Sequence, residues 1–222
     1  MKVIETRLPG VVVVEPAVFR DDRGFLTEVW NQSRFDATGL PLRFVQDNLS
    51  SSKRGVLRGL HYQWPAAQGK LVSVLQGEVY DVAVDIRSDS PSFGQWVGVI
   101  LSSDNKHQIY IPAGFAHGFA VLSESALVLY KCTAPYTPAD EGSVLWDDPA
   151  IGIEWPVKSP ILAAKDASAP RLSEVSADRL PSMAADRPRG LRIDRPESMG
   201  APHGSGQREE TGRRWMPTIV DP

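Results

Sequence analysis

The stretch of sequence that decides the fold class reads Leu71-Val72-Ser73-Val74-Leu75-Gln76-Gly77, a short apolar run that ends at a turn. Beyond the turn, apolar and charged residues alternate with a period of two. One face of this second run carries Tyr80, Val82, Val84 and Ile86, and the opposite face carries Asp81, Asp85 and Arg87. Alternation over a run of this length is typical of β-strands, so the stretch predicts two strands joined by a turn.

Similar strand patterns recur along the rest of the chain. They cover residues 96–101, 108–111, 119–122 and 127–132, with turn residues between them. This spacing is that of a sandwich or barrel. Helical patterns occur only near residues 32–38 and 162–167. The sequence therefore predicts an all-β protein with minor helices, and we favour a β jelly roll over a closed up-and-down barrel.

Composition limits the classes of partner and compartment. The 222 residues carry a net charge of −3, so we expect neither nucleic acid nor an anionic membrane as a partner. Cys132 is the single cysteine, which excludes an intramolecular disulfide and a thiolate-rich metal site. The sequence contains no signal peptide pattern and no apolar run long enough for a membrane helix. We therefore expect a soluble, cytoplasmic protein.

The chain changes character near residue 175. Residues 1–175 carry the strand patterns and form the predicted folded domain. Residues 176–222 contain arginine but no lysine, many Pro, Gly and Ser residues, and few large apolar side chains. A segment of this composition buries too little surface to offset its ordering entropy, so we expect a disordered C-terminal tail.

Polar side chains with catalytic potential interrupt these strand patterns. His61 ends one run and is either a buried structural histidine or a base. A bulge at Gly59 would bring Arg58 and His61 to the same face. Lys70 is either a solvated strand-end lysine or a cation for an oxyanion or phosphate. Tyr130 is either a packing residue or a proton donor.

A second distinctive run reads Ile111-Pro112-Ala113-Gly114-Phe115-Ala116-His117-Gly118-Phe119. It resembles the second half of the cupin pattern, in which a tight turn delivers a histidine to the barrel interior. Metal-binding cupins also carry His-x-His on an earlier strand, whereas this chain has His61-Tyr62-Gln63 there. The remaining histidines are His107 and His203. We therefore expect a cupin-type barrel without a metal or another cofactor.

A family resemblance emerges from several short stretches taken in order. They are Asp22-Arg23-Gly24-Phe25 with Glu28, Gln46-Asp47-Asn48, residues 56–63, residues 68–72, Val84-Asp85-Ile86-Arg87, residues 111–119, Tyr130-Lys131, Trp146 and Lys165-Asp166. Their order and spacing resemble the dTDP-4-dehydrorhamnose 3,5-epimerases over residues 2–175. The resemblance implies epimerisation of dTDP-4-dehydro-6-deoxy-D-glucose at C3 and C5, in the synthesis of dTDP-L-rhamnose.

The same resemblance implies a role for each matching residue. His61 would be the base, Asp166 its orienting partner and Tyr130 the acid on the opposite face of the sugar, with Lys70 near the developing charge. Further residues would bind the sugar nucleotide: Gln46, Asp47, Asn48, Arg58, His117, Glu141, Lys165 and Tyr136, the last by stacking on the thymine. Arg23 and Glu28 would enter from the partner subunit of a homodimer formed by strand exchange.

Other functions remain open on the sequence. Sister enzymes that epimerise a single carbon of a dTDP-4-keto-deoxysugar carry much the same residues. A metal-dependent cupin enzyme, a ketoisomerase that moves the carbonyl between C3 and C4, and a non-catalytic sugar-nucleotide-binding cupin share the fold. The absence of His-x-His argues against the metal enzyme. The joint presence of His61, Asp166 and Tyr130 argues against a pure binding module.

Overall fold

The computed structural model describes residues 1–40, 43–183 and 219–220, and these ranges consist mainly of β-strands. The strands are β1 Lys2–Glu5, β2 Val12–Glu15, β3 Val18–Asp21, β4 Gly24–Thr27, β5 Gln46–Lys53, β6 Leu57–Gln63, β7 Lys70–Gln76, β8 Glu78–Asp85, β9 Trp96–Ser102, β10 Gln108–Ile111, β11 Phe115–Val121, β12 Ser125–Cys132, β13 Glu141–Ser143 and β14 Ile219–Val220. The helices are α1 Gln32–Asp36 and α2 Ala164–Ala167, with 3-10 turns at Pro138–Asp140, Leu172–Glu174 and Ala177–Arg179.

The strands form two antiparallel sheets and a separate hairpin. The first sheet has the order β1-β2-β10-β7-β12-β5, and the second has the order β13-β6-β11-β8-β9-β14. Strands β3 and β4 form the hairpin. The inner faces of the sheets share one apolar cluster, to which Val72 and Ile109 contribute from the first sheet and Val97 and Val121 from the second. The predicted all-β jelly roll is confirmed.

The strand patterns predicted from sequence correspond to β7 to β12, and β11 shows the largest difference in its boundary. This strand begins at Phe115, four residues before the predicted start at 119. The turn is completed by Gly114, whose φ of +92° suits a residue without a Cβ. A Cβ there would lie 2.7 Å from Cγ of Arg87. Because the turn ends at Gly114, His117 lies well inside the strand.

The two predicted helices are present, although both are short. Helix α1 begins after Asn31, whose side chain accepts a hydrogen bond from the backbone N–H of Arg34 at 3.2 Å. Phe35 is the buried residue of this helix and packs against Trp30, with ring centroids 4.4 Å apart. None of the helices in the described part of the chain is long and apolar enough to cross a membrane.

The first residues beyond 175 contact the folded domain. Leu180 packs against the apolar cluster of the second sheet, and the carbonyl of Pro181 accepts a hydrogen bond from the backbone N–H of Ser88 at 2.9 Å. Strand β14 pairs with β9. The other residues of the tail, 184–218 and 221–222, lie outside the described residues. The predicted disorder of the tail falls mainly on them.

Candidate active site

Most of the site residues predicted from the sequence line a cavity of about 560 Å³. Both sheets contribute to its walls, together with α2 and the segment between β12 and β13. The predicted residues that line it are Gln46, Asn48, Arg58, His61, Lys70, His117, Tyr130, Tyr136, Glu141, Lys165 and Asp166. The fold thus gathers into one place side chains that are scattered over more than a hundred positions of the sequence.

Three predicted site residues do not line this cavity. Arg23 lies at the tip of the β3–β4 hairpin, where its exposed side chain pairs with Asp21 at 2.5 Å. Glu28 follows the hairpin and pairs with Arg34 at 3.2 Å. Asp47 is exposed and its carboxylate binds the Nζ of Lys131 at 2.8 Å.

A bulge in β6 brings Arg58 and His61 to the cavity. Along β11, His117 pairs with His61 and Phe119 pairs with Arg58, so two residues of β6 lie opposite the single residue between these partners. Gly59 has a φ of +118°, and a Cβ at this position would lie 2.5 Å from the Cα of Gly118. Only glycine fits there. The bulge expected at Gly59 is confirmed, and both polar side chains face the cavity.

His61 and Asp166 form a hydrogen-bonded pair. Nε2 of His61 lies 2.7 Å from Oδ1 of Asp166, whose side chain is 2% exposed. The backbone N–H of Gly59 donates to the other carboxylate oxygen at 3.4 Å. A carboxylate accepts hydrogen bonds, so Nε2 carries the proton and the lone pair of Nδ1 is available. Asp166 therefore fixes the ring of a potential base.

The surroundings of His61 favour its neutral form. Burial lowers the pKa of the imidazole below the ordinary value of 6.5, and the hydrogen bond to Asp166 opposes this shift only in part. Lys165 lowers the pKa further through its positive charge. A neutral imidazole at neutral pH is the form that accepts a proton.

Tyr130 lies on the opposite sheet from His61. It is on β12, in the first sheet, whereas His61 is on β6, in the second. Burial raises the pKa of the Tyr130 hydroxyl, which keeps it protonated at neutral pH, and Arg58 and Lys165 oppose this shift. The cavity therefore has a proton acceptor on one wall and a proton donor on the other.

Lys70 and His117 line the cavity, and His117 is paired with the buried Asp81. Asp81 is fully buried, and its Oδ2 lies 2.9 Å from Nε2 of His117. Burial lowers the pKa of the Lys70 ammonium, an effect that Cys132 and Asp81 oppose. Burial also raises the pKa of Asp81, against the opposing effects of His117 and Lys70. Lys70 and Asp81 therefore interact electrostatically in a water-poor region.

A hydrogen-bonded group of three side chains lies on the more exposed side of the cavity. Glu141 accepts from the Nζ of Lys165 at 2.6 Å and from the hydroxyl of Tyr136 at 3.0 Å. The hydrogen bond from Lys165 lowers the pKa of Glu141. The backbone N–H of Tyr136 donates to Oε1 of Gln46 at 2.8 Å. This arrangement presents an aromatic ring beside polar groups that suit a nucleoside ligand.

Sequence reasoning missed three buried polar residues in or beside the cavity: Gln63, Gln68 and Asp81. Asp81 was assigned only to the charged face of its strand pattern, yet its side chain is fully buried and holds His117. Gln63 was noted only as part of a matching stretch, yet it is buried and lines the cavity. The available signal was a charged or amide residue inside a strand flanked by apolar residues.

Among residues 1–40, 43–183 and 219–220, no three His, Cys, Asp or Glu side chains are grouped so that they could hold a metal ion. His61 and His117 are neighbours across β6 and β11, but each binds its own aspartate.

The jelly roll and the polar cavity define the class: a cupin-type protein with a site equipped for acid–base chemistry. The family model of dTDP-4-dehydrorhamnose 3,5-epimerases matches residues 5–174. Because the match spans more than half of the sequence, the chain belongs to this family of epimerases, as the resemblance implied.

Similar proteins support this assignment. The chain is 59% identical over 177 residues to a dTDP-4-dehydrorhamnose 3,5-epimerase of Salmonella typhimurium, covering 78% of this chain and 97% of that protein. A Legionella pneumophila dTDP-6-deoxy-D-glucose-3,5-epimerase in complex with dTDP-4-keto-L-rhamnose has a TM-score of 0.80 and 52% identity, covering 82% of this chain and 97% of that one. A 3'-monoepimerase of Streptomyces bikiniensis in complex with dTDP-quinovose has a TM-score of 0.75 and 35% identity. The match covers 82% of this chain and 94% of that one.

Proposed function

We propose that this protein epimerises dTDP-4-dehydro-6-deoxy-D-glucose at C3 and C5, giving dTDP-4-dehydro-L-rhamnose for the synthesis of dTDP-L-rhamnose. The observation that carries the proposal is the placement of His61 with Asp166 on one wall of a cavity and Tyr130 on the other. Inversion of a carbon by proton transfer needs a base on one face of the sugar and an acid on the opposite face.

The chemistry begins with the ketone at C4 of the sugar, which acidifies the hydrogens on C3 and C5. Nδ1 of His61 removes one of these protons, and the electron pair moves to the C4 oxygen as an enolate. The buried ammonium of Lys70 stabilises that negative charge. The hydroxyl of Tyr130 then returns a proton to the carbon from the opposite face. Before the second inversion, His61 loses the proton that it gained and Tyr130 regains the proton that it gave, both by exchange with water. The same two transfers at the second carbon then complete the conversion.

The remaining predicted residues of the cavity would bind the sugar nucleotide along its length. In this proposal Arg58 and His117 contact the substrate near the reacting sugar, and Lys165 and Glu141 contact it nearer to solvent. Tyr136 stacks on the thymine, for which its half-exposed ring is suited. The Nε of Arg58 donates to the hydroxyl of Ser52 at 3.0 Å, which orients the guanidinium within the cavity.

We also propose a homodimer formed by strand exchange, in which Arg23 and Glu28 contribute to the site of the partner subunit. Gln46 and Asn48 contribute to the site of their own subunit. Exposed apolar side chains on and beside the β3–β4 hairpin support a protein contact there; they are Phe19, Phe25, Leu26 and Val29. Apolar groups clustered on a projecting hairpin favour burial against another surface.

We place the enzyme in the cytoplasm. In this proposal its function involves no metal, no other cofactor, no membrane and no nucleic acid.

The proposal is tested by incubating the protein with dTDP-4-dehydro-6-deoxy-D-glucose in heavy water. We expect deuterium at both C3 and C5 and a product with the L-rhamno configuration, as judged by NMR. The similarity to a 3'-monoepimerase makes epimerisation of a single centre the second candidate. Deuterium at one carbon only would select that candidate, and absence of exchange at either carbon would defeat the proposed function.

Replacement of Tyr130 by phenylalanine separates the two proton transfers. The variant lacks the donor hydroxyl but keeps the ring, so we expect product formation to fall about 10²-fold or more. Exchange of deuterium into recovered substrate should fall much less, because His61 still removes and returns the proton on its own face. NMR of product and of recovered substrate measures both quantities. Equal losses in the two would contradict the assignment of Tyr130 as the acid.

Replacement of Asp166 by asparagine tests the His61–Asp166 pair through pH. In the wild type, activity declines as His61 becomes protonated, so the acid limb of kcat/KM lies below the ordinary histidine value of 6.5. Asp166 raises the pKa of His61, so the variant should show its acid limb at still lower pH. We also expect kcat to fall on the order of 10³-fold, because the imidazole loses its orienting carboxylate. An acid limb that moves to higher pH would contradict the pairing.

A further inference from the structure

Gln63 is a buried residue of the cavity to which the proposed reaction gives no role. It lies on β6 two positions after His61, so both side chains are on the same face of the strand. Its side chain is 5% exposed and lines the cavity. A buried amide needs partners for its oxygen and for its nitrogen, and the identity of these partners suggests what Gln63 does.

The amide of Gln63 engages the backbone on both sides of Tyr136. Its Oε1 accepts a hydrogen bond from the N–H of Thr137 at 2.8 Å. Its Nε2 donates to the carbonyl of Pro135 at 3.1 Å and also to the carbonyl of Ala66. One side chain therefore fixes the residues immediately before and after the tyrosine.

Tyr136 depends on such contacts because it does not lie in a strand or helix. It falls between the end of β12 and the 3-10 turn at Pro138–Asp140, and its side chain is 51% exposed. The contact to Gln46 and the bond to Glu141 fix its N–H and its hydroxyl. The backbone on either side of it is held by Gln63.

We propose that Gln63 is a positioning residue that holds Tyr136 in place for the base of the nucleotide. The hydrogen bonds of Gln63 connect the strand that carries His61 to the loop that carries Tyr136. The ring that stacks on the thymine therefore keeps a fixed distance from the reacting sugar. Gln63 then determines the affinity for the nucleoside part of the ligand, and the proton-transfer rate at saturation depends on it only weakly. This inference rests on the proposed function in one respect, namely that Tyr136 stacks on the thymine of the nucleotide.

The first test replaces Gln63 by leucine and measures binding by calorimetry. Loss of these bonds is expected to weaken dTDP binding about 10-fold, because the loop loses its buried amide partner. Inorganic pyrophosphate has no base to contact Tyr136, so its affinity should change by less than about twofold, and KM should rise more than kcat falls. Equal weakening of both ligands would show a general defect of the cavity and would overturn the proposal.

A second glutamine provides a matched control. Gln68 is also buried, and its Nε2 donates to the carbonyl of Ala134 at 2.7 Å, one residue further from Tyr136. Gln68→Leu removes that single bond and should weaken dTDP binding less than Gln63→Leu does. Gln63→Glu keeps the acceptor for Thr137 but loses the donor to Pro135, and it should weaken dTDP binding in the same direction. A loss from Gln68→Leu as large as that from Gln63→Leu, or wild-type dTDP affinity in Gln63→Glu, would overturn the proposal.

A double-mutant cycle with Tyr136→Ala tests the coupling directly. If Gln63 acts through Tyr136, the double variant should bind dTDP no more weakly than Tyr136→Ala alone. Additive losses would overturn the proposal. The cycle uses dTDP binding and not turnover, so it is readable even if the wild type fails to exchange deuterium. That failure would defeat the proposed reaction, whereas additivity would defeat the role of Gln63.

Discussion

Replacement of His61 by alanine is expected to abolish deuterium incorporation at both C3 and C5, with a loss of at least about 10³-fold in kcat. The reason is geometric as well as chemical. His61 is the group that Asp166 orients, at 2.7 Å, and burial keeps its imidazole neutral and able to accept a proton. Mass spectrometry of the sugar after incubation in heavy water measures the exchange, and NMR identifies the carbon.

The same variant should still bind dTDP with nearly wild-type affinity, because Tyr136, the proposed contact for the thymine, is held by Gln46 and Glu141 and not by His61. Retained dTDP binding shows that the cavity is intact and that the loss is chemical. A His61→Ala protein that still exchanges deuterium at the wild-type rate would refute the assignment of His61 as the base.

Replacement of Lys70 by methionine is expected to lower kcat by about 10²–10³-fold with little change in KM. Methionine fills similar space without a charge, so the substitution removes mainly the stabilisation of the enolate. Lys70 is 9% exposed and lines the cavity, and its charge also interacts with the buried Asp81. An oxyanion in the cavity would be a second negative partner for this charge.

Steady-state kinetics of Lys70→Met, with dTDP affinity as the control, checks this prediction. A loss confined to KM would indicate that the ammonium binds the substrate equally in the ground and transition states. Wild-type values for both constants would exclude Lys70 from the reaction.

Local patterns in the sequence were sufficient to predict the fold. Alternation identified β7 to β10 and β12, and glycine at position 59 correctly indicated a bulge. The start of β11 was misplaced because alternation does not reveal where a turn ends. That boundary depends on how Gly114 packs against Arg87, a contact between residues distant in sequence.

Fewer features of the candidate site could be predicted from local sequence patterns. Asp166 is one acid among many in the sequence, and its pairing with His61 across 105 positions was implied only by the family resemblance. Asp81 and Gln63 were overlooked for a different reason. Alternation assigns a side chain to one face of a strand, but it does not show whether a second sheet or a loop covers that face. Both faces of β8 are covered here, so Asp81 and Asp85 are buried.

Because His61 and Tyr130 lie on different sheets, the apolar interior is the spacer between the proposed base and the proposed acid. The separation of acid and base is set by the side chains packed between the sheets, and facing sheets typically lie about 10 Å apart. Val72, the β7 partner of Tyr130, is one of these side chains. A misplacement of about 1 Å between reacting groups can cost about 10²-fold in rate. If His61 and Tyr130 act as proposed, core residues that do not line the cavity would affect the reaction rate through the thickness of the core.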